Sequence, residues 1–316
     1  MVNRKFIPLI VTCCLFFLLF GIGSIQFESF GTSRVFFNLL TDNAFLIIAA
    51  VGMTFVILSG GIDLSVGAVI ALTGVISSVL ISQYNWHPLA VFPFVLLLGT
   101  GFGAAMGALI YFYKLQPFIV TLAGMFLARG LASVISEESI PITHEFYDAV
   151  SMFGFELPGG AWIGTSTIIC LLVLIAAIVV AHYTRFGGRV YALGGDNNSA
   201  ALMGVPLAST TISIYATSSF LATLSGIVYS FYTFSGYSLA AVGVELDAIA
   251  AVVIGGTLLT GGYGYVIGTL VGVLIMGVVQ TYISFDGTLS SWWTKIVIGI
   301  LLFCFIAMQR VLSRGR

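Results

Sequence analysis

Few residues in this chain could carry chemistry, and the densest group is Gly60-Gly61-Ile62-Asp63-Leu64-Ser65. Two adjacent glycines reach backbone angles closed to other residues, so an apolar helix can stop there. Asp63 or Ser65 can then accept from the free N–H groups that begin the next helix. A carboxylate in such apolar surroundings has a second reading, in which it faces a polar cavity and guides a solute or a coupling motion. Arg129 is the other outlier, twelve residues into PFIVTLAGMFLARGLASVIS. A central arginine in a membrane helix costs about 2.5–3.5 kcal/mol on insertion scales, so it must snorkel, pair with an acid or line water. Glu245 and Asp247 open the apolar run that follows them. The dipole of a helix N-terminus favours acids at that position.

The remaining chemistry is sparse. No G-x-x-x-x-G-K-[ST] string is present, so the chain is not its own nucleotide-hydrolysing engine by that motif. No H-E-x-x-H or other metal spacing occurs, and His87, His144 and His182 are scattered. Cys13, Cys14, Cys170 and Cys304 lie in apolar runs without ligand or disulfide spacing and read as small apolar fillers. Carboxylates within apolar runs are too few for a proton relay. The expectation is a chain without cofactor or metal, and not an enzyme.

The elements that must position these residues are membrane helices. Of 316 residues, 59% are hydrophobic and only 7% charged, against roughly 25% charged in soluble domains. A net charge of −1 argues against nucleic acid as a partner. A span needs about 20 apolar residues. Candidates are 6–26, 44–59, 66–82, 89–113, 117–136, 162–183, 209–232, 244–260, 262–283 and 290–311. The fold expected is an all-α integral membrane protein of eight to ten spans. The second and third candidates are short and flanked by glycine, which suits broken or re-entrant helices. Arg4 and Lys5 before the first apolar run resemble a signal peptide, but no small-x-small cleavage site follows, so this run reads as an uncleaved first span.

Basic residues set the orientation. With the N-terminus inside, inner segments hold Arg4, Lys5, Lys114, Arg185, Arg189, Arg310, Arg314 and Arg316, eight of the eleven. All four tryptophans, Trp86, Trp162, Trp292 and Trp293, then fall at outer ends, where amphipathic rings favour the interface. The outer loop at about 137–161 collects Glu137, Glu138, Glu145, Asp148 and Glu156. Both termini are expected in the cytoplasm of a multi-pass protein.

The chain also echoes itself. Shifted by 201 residues, AAVGMTFVILSGGIDLSVG (49–67) lies on AAVVIGGTLLTGGYGYVIG (250–268), with seven identities in nineteen positions. Ser/Thr-Gly-Gly recurs as Gly60-Gly61 and Gly261-Gly262, and Gly67 meets Gly268. A parallel two-half repeat is the expectation, and glycine-interrupted segments at matching positions point to a transport path. Between the halves, 184–208 forms the one sizeable inner loop. Its stretch Asn197 to Met203 is expected to form a short helix, with Gly194 and Gly195 breaking the chain before it and Gly204 ending it.

Three strings carry a family resemblance: GMTFVILSGGIDLSVGAVIALTG (Gly52 to Gly74), YALGGDNNSAALMGV (Tyr191 to Val205) and ELDAIAAVVIGGTLLTGGYGYVIGTLVG (Glu245 to Gly272). Together they resemble the permease subunits of bacterial carbohydrate ATP-binding-cassette importers, the ribose/xylose/arabinose type, over about residues 35–312. The C-terminal half, with FDGTLSSWWTKI at Phe285 to Ile296, is most similar to one of the two permeases of galactofuranose importers. The resemblance implies one transmembrane permease domain over 1–316, with halves of about 35–183 and 209–312. It implies cytoplasmic ATPases, a second permease subunit of a different sequence and a periplasmic sugar-binding protein as partners, in the bacterial inner membrane. It places the ATPase-docking helix on Gly195 to Gly204, with Gly195, Asn197, Ala200, Ala201 and Gly204 as coupling residues. The family often has Gly-Asn where this chain has Gly195-Asp196-Asn197, which shifts the register of that match. Candidate pathway and gating residues are Gly60, Gly61, Asp63, Ser65, Gly67, Arg129, Gly261, Gly262 and Gly268. Asn43, Ser59, Thr73, Ser77 and Thr121 are of a type to meet a sugar. The function expected is alternating-access import of a monosaccharide, galactofuranose by the closest resemblance. A self-sufficient secondary carrier or channel is the competing reading, and a permease for branched-chain amino acids the nearest neighbour within the first class.

Overall fold

The computed structural model describes residues 7–157, 159–290 and 292–313. Arg4, Lys5, Arg314 and Arg316, which weigh in the orientation, lie outside the described residues. The chain is a helical bundle: α1 (Ile7–Gln26), α2 (Ser33–Asp42), α3 (Ala44–Leu58), α4 (Val66–Ser78, extended by a π-turn over Val79–Gln83), α5 (Pro88–Phe112), α6 (Pro117–Ile135), α7 (Glu145–Met152), α8 (Thr165–Tyr183), α9 (Arg185–Gly195), α10 (Asn197–Leu202), α11 (Leu207–Thr233), α12 (Val244–Ile254), α13 (Val266–Asp286) and α14 (Trp292–Ser313). Sheet is confined to two small antiparallel pairs among the described residues. One is Ile140–Pro141 with Ser235–Gly236, and the other is Gly154–Leu157 with Ala161–Gly164.

Among the described residues, eight helices are long and apolar enough to cross a membrane, or nine if α2 and α3, bent by 57° at Asn43, count as one. The span expected over 244–260 is not a full span. Its helix, α12, stops at Ile254 after 11 residues, about 16 Å. The physical reason is a turn at Gly255-Gly256, where Gly256 takes φ +91°; an apolar run does not by itself show where its backbone bends.

α3 forms the axis of the bundle. Every residue in it except Phe45 is buried, as expected of a helix apolar on all sides. It packs against α8, α11, α12 and α13, and the Thr54 and Thr269 hydroxyls join it to α13 at 2.7 Å. α5 and α11 make the most extensive pairing. Gly99, Gly103 and Gly107 lie at four-residue spacing along α5, and a Cβ on any of them would collide with α11. Small residues at that spacing let two membrane helices approach closely.

The offset of 201 residues also organises the helices. It carries Ile7–Gln26 onto 208–227, within α11, and Pro88–Phe112 onto 289–313, where α14 runs. α3 falls on the segment of α12, and α4 on that of α13. α1 packs on α13, and α11, at the same offset from α1, packs on α4.

Candidate functional site

At one end of the bundle the two broken segments meet. After α3, the chain turns at Gly60 with φ +81°; after α12, it turns at Gly261 with the same φ, +81°. This left-handed region costs L-residues about 1–2 kcal/mol, so each turn uses a glycine. The Gly262 N–H donates to the Leu58 carbonyl at 2.8 Å, joining the halves by a backbone hydrogen bond. Gly61 has no room for a side chain because the Tyr215 hydroxyl occupies that space.

A third backbone enters the same junction. Gly194, in the last turn of α9, packs so closely that a Cβ would overlap the Leu58 carbonyl and crowd the Gly262 nitrogen. A Cβ at Gly262 would in turn lie 3.0 Å from the Gly195 backbone. The Tyr191 hydroxyl adds a bond to the Gly264 carbonyl at 2.6 Å. α9 is thus clamped to both broken segments at once. Gly194 and Gly195 do not break the chain, as expected from sequence; they complete α9, and the break falls on Asp196. The reason is packing: the glycines serve close approach, while an extended Asp196 (φ −162°, ψ 120°) redirects the chain.

Asp196 then caps α10, its Oδ1 accepting from the Ser199 N–H at 2.7 Å. That bond holds the Asp196 carboxyl below the usual carboxylate range. Asn197 opens the helix, Ala200 is buried beneath it, Ala201 is exposed, and Gly204 leaves it with φ +78°. Two apolar side chains missing from the sequence-based set stand at its tip: Leu202, 89% exposed, and Met203, 70% exposed. Their signal in the sequence was present, since a hydrophobic pair in a polar loop between glycines has no core to join. α9 carries Arg185 and Arg189 and buries only Gly187, Val190 and Leu193, the narrow stripe of a helix lying on the bundle end.

Asp63 is completely buried. Its Oδ1 accepts from the Ser65 N–H at 2.9 Å and the Ser65 hydroxyl at 2.6 Å, and its Oδ2 accepts from the Ser218 hydroxyl at 2.7 Å. The carboxylate therefore fixes the restart of α4 and ties it to α11. Ser65, the residue before α4, is likewise buried. Against the expectation from sequence, neither its side chain nor that of Asp63 caps the first-turn N–H groups of α4, because Asp63 directs Oδ1 to Ser65 itself.

Gly67 and Gly268, matched by the repeat, both mark close contacts. A Cβ at Gly67 would overlap Glu245 Oε2 and the Ala241 carbonyl; one at Gly268 would overlap the Gly255 carbonyl. Although Glu245 lies near enough to attract it, Arg129 makes no ion pair within 4.0 Å among the described residues. It donates from Nη1 to the Ser238 and Ala240 carbonyls, each at 2.6 Å, and so pins the segment entering α12. Glu245 and Asp247 lie in the first turn of α12, and Asp247 also pairs with Lys295 at 2.6 Å.

The structure brings Gly60, Gly61, Gly261 and Gly262 to one junction and places Asp63 and Ser65 just beyond it. Arg129 and Gly67 are gathered around the start of α12 instead. Ser59 and Thr73 return their hydroxyls to carbonyls of their own helices, and Thr121 does so at 2.9 Å while also lying 3.4 Å from the Ile62 carbonyl. Asn43 donates to the Leu39 carbonyl at the α2–α3 bend. No group of His, Cys, Asp and Glu suited to a metal occurs among the described residues.

Comparison with known proteins gives the same outline. A family model described as "Branched-chain amino acid transport system / permease component" matches residues 35–306. The "Inner membrane ABC transporter permease protein YjfF" of Escherichia coli K12 is 58% identical over 99% of this chain and 94% of its own length. The "Fructose import permease protein FruG" of Bifidobacterium longum is 40% identical over 98% of this chain and 92% of its own. The "Ribose import permease protein RbsC" of E. coli K12 is 37% identical over 92% of this chain and 90% of its own. No solved structure matches.

Proposed function

Since this chain belongs to the branched-chain amino acid transport system / permease component family, we propose that it is the membrane permease of an ATP-driven sugar importer. Relatives named as ribose and fructose import permeases, similar over nine-tenths or more of their lengths, support the sugar class over amino acids. On this reading the chain is a non-catalytic subunit of the inner membrane, and a partner ATPase hydrolyses the nucleotide. A periplasmic binding protein delivers the solute. The finer reading takes galactofuranose as that solute and a different permease chain as the second subunit; it rests on the resemblance of Phe285 to Ile296. Both termini and the α9–α10 loop are assigned to the cytoplasm by the basic-residue count.

The observation that carries this reading is the α9–α10 segment. α10 is a short capped helix with an apolar tip and no core of its own to join, and α9 behind it is locked to both broken segments. ATP-driven closure of two ATPases would move α10, and α9 would pass that displacement to the Gly60 and Gly261 turns together. Rigid movement of packed elements about such turns exposes a path alternately to either side. Gly195, Asn197, Ala201 and Gly204 then shape the docking element, Ala200 seats it, and Leu202 and Met203 enter the ATPase.

The test is a docking variant. Leu202→Glu with Ala201→Glu places two charges on the exposed face and leaves the buried Ala200 alone. Co-purification of the ATPase should fall about tenfold or more, the scale of losing an interface anchor. The amount of permease in the membrane should not change. Full ATPase recovery and normal uptake in this variant would remove the docking assignment.

A further inference from the structure

At the end of the bundle opposite the glycine junction lies a cleft of about 420 Å³, between the start of α3, the start of α12, the end of α13 and the start of α14. Its polar wall holds Asn43, Asp247, Gln280, Ser284, Thr294 and Lys295, and its apolar floor includes Leu46, Met276 and Ile298. The volume falls within the roughly 300–1,000 Å³ of small-molecule sites. Charged and amide groups packed among membrane helices are costly unless they meet water or a polar ligand.

The bonding capacity of this wall is only partly used. Both Asp247 oxygens accept from the Lys295 ammonium, at 2.7 and 2.6 Å. Each carboxylate oxygen keeps a lone pair, and a lysine has three protons to place. The pair is solvent-accessible, with the Lys295 side chain 54% exposed. The Gln280 side chain is exposed and has no hydrogen-bond partner among the described residues. Acceptor, cation and a two-way amide thus converge on one cleft with an apolar floor. That combination suits a neutral solute with several vicinal hydroxyls, whose C–H face meets the floor. It offers a free carboxylate or phosphate no net charge, since Asp247 already neutralises Lys295.

We propose that this cleft is a contact site for the incoming sugar, in which Asp247 and Lys295 bind adjacent hydroxyls and Gln280 binds a third. The inference rests on the sugar-importer reading and adds to it a place where the permease itself touches the solute.

The experiment uses the whole assembly in vesicles: permease, second subunit if one co-purifies, ATPase and saturating binding protein. Uptake of radiolabelled D-ribose, D-fructose and D-galactose, the last of which equilibrates in solution with its furanose form, is measured alongside ATP hydrolysis. Gln280→Leu removes an amide that holds nothing in the protein, so folding should survive. Sugar moved per ATP hydrolysed should fall about tenfold, the scale of one lost hydrogen bond, with hydrolysis within about twofold of wild type. A second variant, Asp247→Lys with Lys295→Asp, keeps an ion pair but exchanges donor and acceptor. A purely structural pair tolerates that exchange, whereas a contact site lowers sugar per ATP. Unchanged sugar per ATP in both variants, or an equal fall in uptake and hydrolysis, would overturn the inference. A wild-type assembly that imports none of the three sugars would instead count against the sugar reading itself.

Discussion

Gly194→Ala is expected to abolish sugar uptake, while Gly188→Ala, on the same helix, leaves it at the wild-type level. A methyl group at Gly194 would occupy the position of the Leu58 carbonyl oxygen and press on the Gly262 nitrogen. Both neighbours are backbone, so neither can swing away as a side chain would. Relief requires α9 to separate from the junction, which also strains the Gly262–Leu58 hydrogen bond of 2.8 Å. Overpacking typically costs about 1–3 kcal/mol, and leaving a buried backbone group unpaired costs about 1–3 kcal/mol more. The loss falls on the contact through which docking would reach the two breaks. Gly188 has nothing within 4 Å of its added methyl group, so it controls for the general effect of replacing glycine in α9. Uptake, membrane abundance and ATPase recovery are measured together. Wild-type uptake in Gly194→Ala would show that the junction does not transmit motion.

The second large effect concerns Asp63. Asp63→Ala leaves the Ser65 N–H and the Ser65 and Ser218 hydroxyls without their acceptor in a fully buried setting. The expected destabilisation is about 3–5 kcal/mol, since each stranded group costs about 1–3 kcal/mol. It should be visible as a lowered unfolding temperature of the purified chain and reduced abundance in the membrane. Asp63→Asn keeps an oxygen for Ser65, and the Ser218 hydroxyl can turn to accept from the amide. That variant should fold and import at a rate close to wild type. A folded Asp63→Asn protein without uptake would mean that the charge, rather than the hydrogen bonds to Ser65 and Ser218, is what transport uses.

Much of this was legible in the sequence, and the unread parts share a cause. Eight of the helices follow from apolar runs bounded by glycine, proline or charge, because lipid demands such runs at a fixed length. The run at 244–260 is apolar throughout its length, yet Gly256 turns the chain within it, and hydropathy does not register a backbone turn. Asp63 suggested a cap from its position after two glycines. Its second partner, Ser218, lies 155 residues away and left no local mark. Arg129 announced that it needed partners but not which ones; carbonyls at Ser238 and Ala240 carry no residue-type signature. Gly194 looked like a helix breaker for the same reason: its role depends on backbone from two distant turns. The echo in the sequence is confined to 49–67 and 250–268, although the same offset also carries α1 onto the segment of α11 and α5 onto that of α14.

A path moved by a separate engine cannot concentrate its solute alone. The direct measurement is radiolabelled sugar uptake into sealed vesicles holding the permease with its binding protein, with an intact ATPase, with one unable to hydrolyse ATP, and with none. Accumulation above the external concentration is predicted only with the intact ATPase and ATP. If the permease without ATPase concentrated sugar when an ion gradient was imposed, the chain would be a self-sufficient carrier, and the role assigned to α9 and α10 would fail with it.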